Sequence, residues 1–145
     1  MTRAGLTIRP GVAAIVFDRN RRVLLHRRHV GDGWAPPSGR VEAGETVEAA
    51  IRRELLEETG LEVAIDRVVG VYSEPRTQIV HYPDDLHVHY VTTVIACHVL
   101  RGALRASAEG GRWEWCNPSE PPEPLLSYAR RWIEDATNGN ESVLC

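Results

Sequence analysis

The chain has 145 residues, 43% of them hydrophobic and 26% charged, with a formal net charge of −3. That length supports a buried core without covalent staples, the balance lacks the basic footprint of general nucleic-acid binding, and no apolar run is long enough to span a membrane. The segment "MTRAGLTIRP" lacks the apolar centre of a signal peptide, and three cysteines without repeated spacing (Cys97, Cys116, Cys145) suit a reducing cytoplasm.

"GVAAIVFD" (11–18) is a short apolar run of the kind that forms a buried strand. "DRNRR" is a polar turn, and "VLLHRR" (23–28) is the returning strand of a hairpin. "HVGDGWAPPSG" is rich in Gly and Pro and is expected to be a loop. A helix is expected from about Thr46 to Thr59, with Thr46 as N-cap, Glu48 in the first turn and Gly60 at the C-terminal stop. "LEVAIDRVVGVYSE" (61–74) reads as a strand, bulged or split, and "PRTQIVHYPDDLH" (75–87) as a long functional loop. "VHYVTTVIACHVL" (88–100) is the most β-branched run in the chain and should be a strand. "RWEWC" (112–116) suggests a short strand, "LLSYARRWIEDA" (125–136) an amphipathic helix and "TNGNESVLC" a frayed tail. Strands interleaved with two helices define an α/β or α+β layered fold. One domain is expected over 1–145, with its core at about 10–136 and a flexible tail at 137–145.

The helix carries an unusual pattern. At about 100° per residue, Val47, Ile51, Glu54 and Glu58 fall within about 60° of one another, with Glu57 at their flank. An ordinary solvated face would put its acids opposite Val47 and Ile51. Glu54 and Glu58 are also like charges one turn apart, which costs a few tenths of a kcal/mol even when exposed. Two readings remain open: a surface helix that tolerates the repulsion, or carboxylates gathered to ligate a hard divalent cation. The alignment favours the cation. Between Glu42 and Glu62 there are seven Glu against Arg52 and Arg53, leaving 13 acids against 15 bases elsewhere, a layout suited to a metal-bound phosphate compound. Gly39 and Gly44, in the loop before the helix, allow close backbone approach to a bound group.

This stretch resembles the Nudix box, the signature of the Nudix hydrolase family. Gly39, Glu45, Arg53, Glu54, Leu55, Glu57, Glu58, Gly60 and Leu61 fill its fixed positions. The resemblance implies an α/β fold, a Nudix-type α/β/α sandwich with a mixed sheet, and hydrolysis of a nucleoside diphosphate linked to another moiety with Mg2+ or Mn2+. It also implies that Glu54, Glu57 and Glu58 are catalytic and ligate the metal, with a further oxygen from the backbone of Ser38 or Gly39. Arg53 would orient Glu54, and Glu45 would brace the loop. A later acid often serves as metal ligand or base; Glu109 is the choice, with Glu114 as competitor. Ser38 departs from the Gly-Gly pair common in the family, which bears on metal approach or substrate preference.

Substrate identity lies outside the box. The resemblance points to an ADP-ribose-like nucleotide sugar or a (deoxy)nucleoside triphosphate. Pro75 stands near a proline found in some members that cleave ADP-ribose. Arg27, Arg28 and Arg76 are candidate phosphate contacts, against the reading that each is a strand-end surface charge. Trp34, Tyr72 and Tyr82 are candidate base-stacking aromatics, although Tyr72 equally suits a core. His87 and His89 share one strand face, where zinc binding competes with simple solvation. The partner is thus a nucleoside-diphosphate-type small molecule, with neither nucleic acid nor membrane, and a homodimer is among the expectations that the resemblance brings. A non-catalytic, nucleotide-sensing Nudix module is the alternative, disfavoured by the completeness of the box.

Overall fold

The structure, a computed structural model, describes residues 5–29, 31–106, 111–139 and 141–145. Its centre is β1 (Leu6–Phe17), whose second half is buried on both sides. Period-two alternation sends Val12, Ala14 and Val16 into one apolar cluster and Ala13, Ile15 and Phe17 into the other. A strand clad on both faces has no polar side to spare, which explains the continuous run in the sequence.

A turn at Asp18–Arg22 leads to β2 (Val23–Arg28); the Asp18 carboxylate accepts from the backbone N–H groups of Asn20 and Arg22 at 2.9 and 2.8 Å. The expected loop after it contains two three-residue strands, β3 (Gly33–Ala35) and β4 (Ser38–Arg40), which pair antiparallel with β2 and β1. Then come α1 (Val47–Thr59), β5 (Leu61–Tyr72), α2 (Pro75–Gln78), β6 (Ile79–His81), β7 (His87–Gly102), β8 (Glu114–Cys116), α3 (Ser127–Asn138) and β9 (Val143–Leu144). The sheet is mixed and runs β3-β2-β1-β7-β5-β9, with β4, β6 and β8 paired off this path. β1 and β7 are parallel from Leu6↔His87 to Phe17↔His98, whereas β5 returns antiparallel to β7. α1 packs on one face through Ala50, Ile51 and Leu55, and α3 on the other through Trp132, Ile133 and Ala136. The α/β/α sandwich is therefore present, with its mixed sheet.

Four further expectations need correction. The first strand begins at Leu6, because its N-terminal half extends the parallel pairing with β7. The long loop at 75–87 holds α2 and β6; Pro75 sits at the first helical turn, where its missing N–H costs nothing, and β6 pairs with β7. The tail does not fray as its composition suggests: α3 runs to Asn138 and β9 lies parallel to β5, with Cys145 exchanging backbone hydrogen bonds with Val71 and Ser73. The apolar seam of α1 is also rotated. Val47 is 37% exposed in the first turn, and the buried stripe is Ala50, Ile51, Leu55 and Thr59.

Candidate active site

Both ends of α1 are built as the sequence suggests. Thr46 Oγ1 accepts from Ala49 N–H at 3.0 Å, which caps the N-terminus. Gly60 adopts a left-handed φ of 80° and donates its N–H to Leu56 O at 3.1 Å. A Cβ at Gly60 would lie 2.7 Å from the Ala103 carbonyl oxygen, so glycine is needed for space as well as for φ.

Between those ends, α1 presents its acids to β4. Gly39, paired with Val12 of β1, is crossed by Glu54: a Cβ built on Gly39 would fall 2.1 Å from Glu54 Cδ. Only glycine lets the carboxylate lie across the strand. Arg53 fixes the arrangement from behind. Its guanidinium donates to both carboxylate oxygens of Glu45 at 2.7 and 2.8 Å, to Glu54 Oε1 at 2.9 Å and to the Arg40 carbonyl at 3.0 Å. This two-pronged geometry is one that only arginine supplies. Its hydrogen bonds hold the Glu45 carboxyl down to about 2 and raise the guanidinium pKa in turn. Glu45 also accepts from Glu42 N–H, which ties the Gly44 turn to the helix.

Glu54 is 15% exposed and Glu57 63%, the latter 3.6 Å from Arg53. Glu58 is half-buried, and its backbone carbonyl accepts from Trp113 Nε1 at 3.1 Å, which stitches the end of α1 to the segment before β8. Glu54, Glu58, Ser38 and Gly39 line one cleft of about 630 Å³, together with Arg9, Arg28 and Arg40. The Arg28 guanidinium donates to Ser38 Oγ at 2.7 Å. One concave surface thus carries two carboxylates and three guanidinium groups, a charge pattern that matches a polyphosphate bearing a cation.

A family model described as the NUDIX domain matches residues 7–136. The chain belongs to the Nudix hydrolase family. A Bacillus subtilis (strain 168) protein provisionally named an 8-oxo-dGTP diphosphatase is 31% identical over 134 residues, covering 92% of this chain and 83% of that one. The ADP-ribose pyrophosphatase of Methanocaldococcus jannaschii is 32% identical over 137 residues, covering 88% and 77%. Among solved structures, an ADP-ribose pyrophosphatase from Streptococcus suis shares the fold at a TM-score of 0.72 and 20% identity, covering 96% of this chain and 100% of that one.

Within this Nudix hydrolase, the residues expected to act divide into three groups. Glu54, Glu58, Ser38 and Gly39 line the cleft; Arg53, Glu45 and Glu57 stand around them without lining it. Glu109 lies outside the described residues, and its rival Glu114 is exposed on β8, opposite Leu25 and away from the cleft lining. Of the basic candidates only Arg28 lines the cleft. Arg27 pairs with Asp32, and Arg76, 87% exposed, pairs with Glu74. Of the aromatic candidates only Tyr82 does so. Trp34 packs against the α3-side cluster, and Tyr72 is buried with its hydroxyl donating to Asp135 at 2.7 Å. His89 bonds the Ser73 carbonyl and His87 meets His81 at 2.6 Å; among the described residues no three His, Cys, Asp or Glu side chains gather into a metal cluster. Sequence reasoning missed Arg9, Arg40, Gln78, Thr92 and Tyr90, all on the cleft wall. Their only signal would have been the register of β1 against β7 and α2, which no local pattern encodes.

No helix among the described residues is long and apolar enough to cross a membrane. All three cysteines are free, and burial pushes the Cys97 thiol up to about 12.

Proposed function

We propose that the chain is a metal-dependent pyrophosphohydrolase that cleaves a nucleoside diphosphate linked to another moiety, a nucleotide sugar or a (deoxy)nucleoside triphosphate, by attack of water on the pyrophosphate. The observation that carries this reading is the convergence of Glu54 and Glu58 with Arg9, Arg28 and Arg40 on one cleft.

The donor set fits Mg2+ or Mn2+. Glu54 and Glu58 are hard oxygen ligands one helical turn apart, and Gly39 leaves the space in which Glu54 lies. Mg2+ is commonly held by one or two carboxylates, with waters and substrate phosphates completing its shell, so a cage of three protein acids is not required. The backbone of Ser38 and Gly39, exposed flanking Glu57 and, outside the described residues, Glu109 are the further candidate ligands. When bound, the cation would activate water and neutralise charge on the bridging oxygens.

The chain's own residues supply positioning and charge. Arg53 holds Glu54 with one guanidinium nitrogen and Glu45 with two, so the Glu54 carboxylate stays pointed across Gly39. Arg28, itself tied to Ser38, and Arg9 and Arg40 would grip non-bridging phosphate oxygens. A carboxylate of the cleft, Glu54 or Glu58, accepts the proton of the attacking water, a role worth about 10²–10⁴-fold in rate.

The test is a product assay on (d)NTPs, ADP-ribose and other nucleotide sugars, with and without Mg2+. The proposal expects turnover of at least one of them only with metal. Tight nucleotide binding without metal-dependent turnover would instead establish the sensing module.

A further inference from the structure

The hairpin of β6 and β7 carries a pair of side chains that the proposed hydrolysis does not use. His81 ends β6 and His87 opens β7, and the two are direct partners across the antiparallel pair. Their rings meet edge to face, with centroids 4.7 Å apart and planes at 69°, and their Nδ1 atoms stand 2.6 Å from each other. The backbone fixes both residues. His87 also pairs with Leu6 of β1, and the Tyr82 N–H donates to the Leu86 carbonyl at 2.8 Å, which closes the turn at residues 82–86. His81 is exposed and His87 half-buried, so water and ions reach the pair. Asp84 and Asp85 lie exposed in the same turn and add negative charge to it. His89 is occupied elsewhere, since its Nε2 bonds the Ser73 carbonyl at 2.6 Å.

A neutral imidazole has one N–H and one lone pair. Two facing Nδ1 atoms therefore share a single proton, one ring donating and the other accepting. A cation can take the place of that proton and bond both nitrogens. Metal–nitrogen bonds of about 2.0–2.1 Å put two ligands about 2.9 Å apart at a right angle and about 3.3 Å apart in a tetrahedron. The pair has to open by less than about 1 Å, within reach of small rotations of two side chains at the surface. β6 pairs only with β7 among the described residues, so the His81 side is free to adjust. The former donor ring then carries its proton on Nε2; both rings stay neutral and no net proton is released. Imidazole nitrogen suits Ni2+, Cu2+ and Zn2+, whereas Mg2+ keeps to oxygen. No third His, Cys, Asp or Glu joins the pair among the described residues, so water completes the coordination and the cation exchanges readily.

We propose that His81 and His87 form a two-nitrogen site for a divalent transition cation of the imidazole-seeking class, separate from the carboxylates of α1. Bound there, the cation clamps β6 to β7 across the open end of the hairpin. That matters to the cleft, because Ile79, Val80 and His81 of β6, with Tyr82 after them, lie along its wall. The site uses neither Glu54 nor Glu58, so it stands whether or not the cleft hydrolyses a nucleotide.

The test is titration with Ni2+ in the presence of excess Mg2+, which competes for the carboxylates, on wild type, His81→Gln, His87→Gln and, as a control, His98→Gln. Imidazole nitrogen NMR of the six histidines shows which rings the paramagnetic ion approaches, and calorimetry gives the affinity. Below one equivalent of Ni2+, broadening should be confined to His81 and His87, and Zn2+ should shift the Nδ1 resonances of the same two rings. Either substitution in the pair should weaken binding at least about 10-fold, the low end of what even an indirect partner of a metal ligand is worth, while His98→Gln leaves it unchanged. Ni2+ should also raise the melting temperature of wild type and of His98→Gln, and not of the other two, because a ligand bound to the folded state alone stabilises it. Melts without metal confirm that each variant folds, and Asn replaces Gln at a position where it does not. No saturable binding, affinity unchanged in both His81→Gln and His87→Gln, or broadening that begins at other histidines overturns the proposal and leaves the pair a plain hydrogen bond.

Discussion

Glu54, Arg53, Glu45 and Gly39 form the smallest unit on which the proposed chemistry depends, and each is legible in the sequence only as part of a spacing. Arg53 bridges two carboxylates, and one of them crosses a strand where no side chain can stand. Two predictions belong at this scale. Gly39→Ala should displace Glu54, a flexible side chain, and so lower turnover at least about 10-fold while changing stability by less than about 1 kcal/mol; full turnover beside a large drop in melting temperature would contradict that. The second concerns Glu45, whose carboxyl is lowered from 4.5 to about 2, chiefly by the hydrogen bonds from Arg53. A lowered folded pKa means that the contribution to stability is fully present above 4.5 and is lost as pH falls towards 2. Carboxyl carbon NMR should show Glu45 titrating near 2 in wild type and returning towards 4.5 in Arg53→Met. A wild-type midpoint near 4.5 would remove Arg53 as its partner. Gln78, by contrast, was not legible at all: a lone glutamine in a proline-bearing stretch has no periodicity, and only pairing between distant segments brings it to the cleft.

At the scale of elements, legibility follows how local the stabilising interactions are. The limits of α1 could be read because its caps are local: Thr46 bonds three residues ahead, and Gly60 bonds four residues back. The 3.6-residue period alone puts Val47 on the buried stripe, but whether a first turn reaches the sheet depends on tertiary packing, and Val47 is exposed. β5 was expected to be bulged or split, and it has register shifts at Glu62/Val63, Ile65/Arg67 and Val68/Gly70. β9 gave no signal, because two residues show no alternation and their parallel partner β5 is far away in sequence. The prediction here is Gly60→Ala. A left-handed φ and a carbonyl 2.7 Å from the new Cβ should cost more than about 1 kcal/mol by chemical denaturation. A cost under about 0.5 kcal/mol would show that the turn relaxes freely.

For the whole molecule, one mixed sheet separates two jobs. Its α1 face carries the box, and its α3 face carries the larger aromatic cluster with Tyr72 and Trp132. The cleft draws on both, with Glu54 and Glu58 from α1 and Tyr128 and Trp132 from α3. Resemblance to the family gave this architecture before any packing could be derived, since the parallel pairing of β1 with β7 is a long-range choice that strand patterns alone leave open. The division suggests that the proposed acid chemistry can be altered without disturbing the α3 side, with α1 variants acting on turnover. Glu58→Gln tests this most directly: steady-state hydrolysis of the best nucleotide in Mg2+, with a thermal melt on the same samples. Turnover should fall at least about 100-fold while stability shifts by less than about 1 kcal/mol. Wild-type turnover in the variant, or loss of activity only in proportion to lost fold, would contradict a catalytic carboxylate at this position.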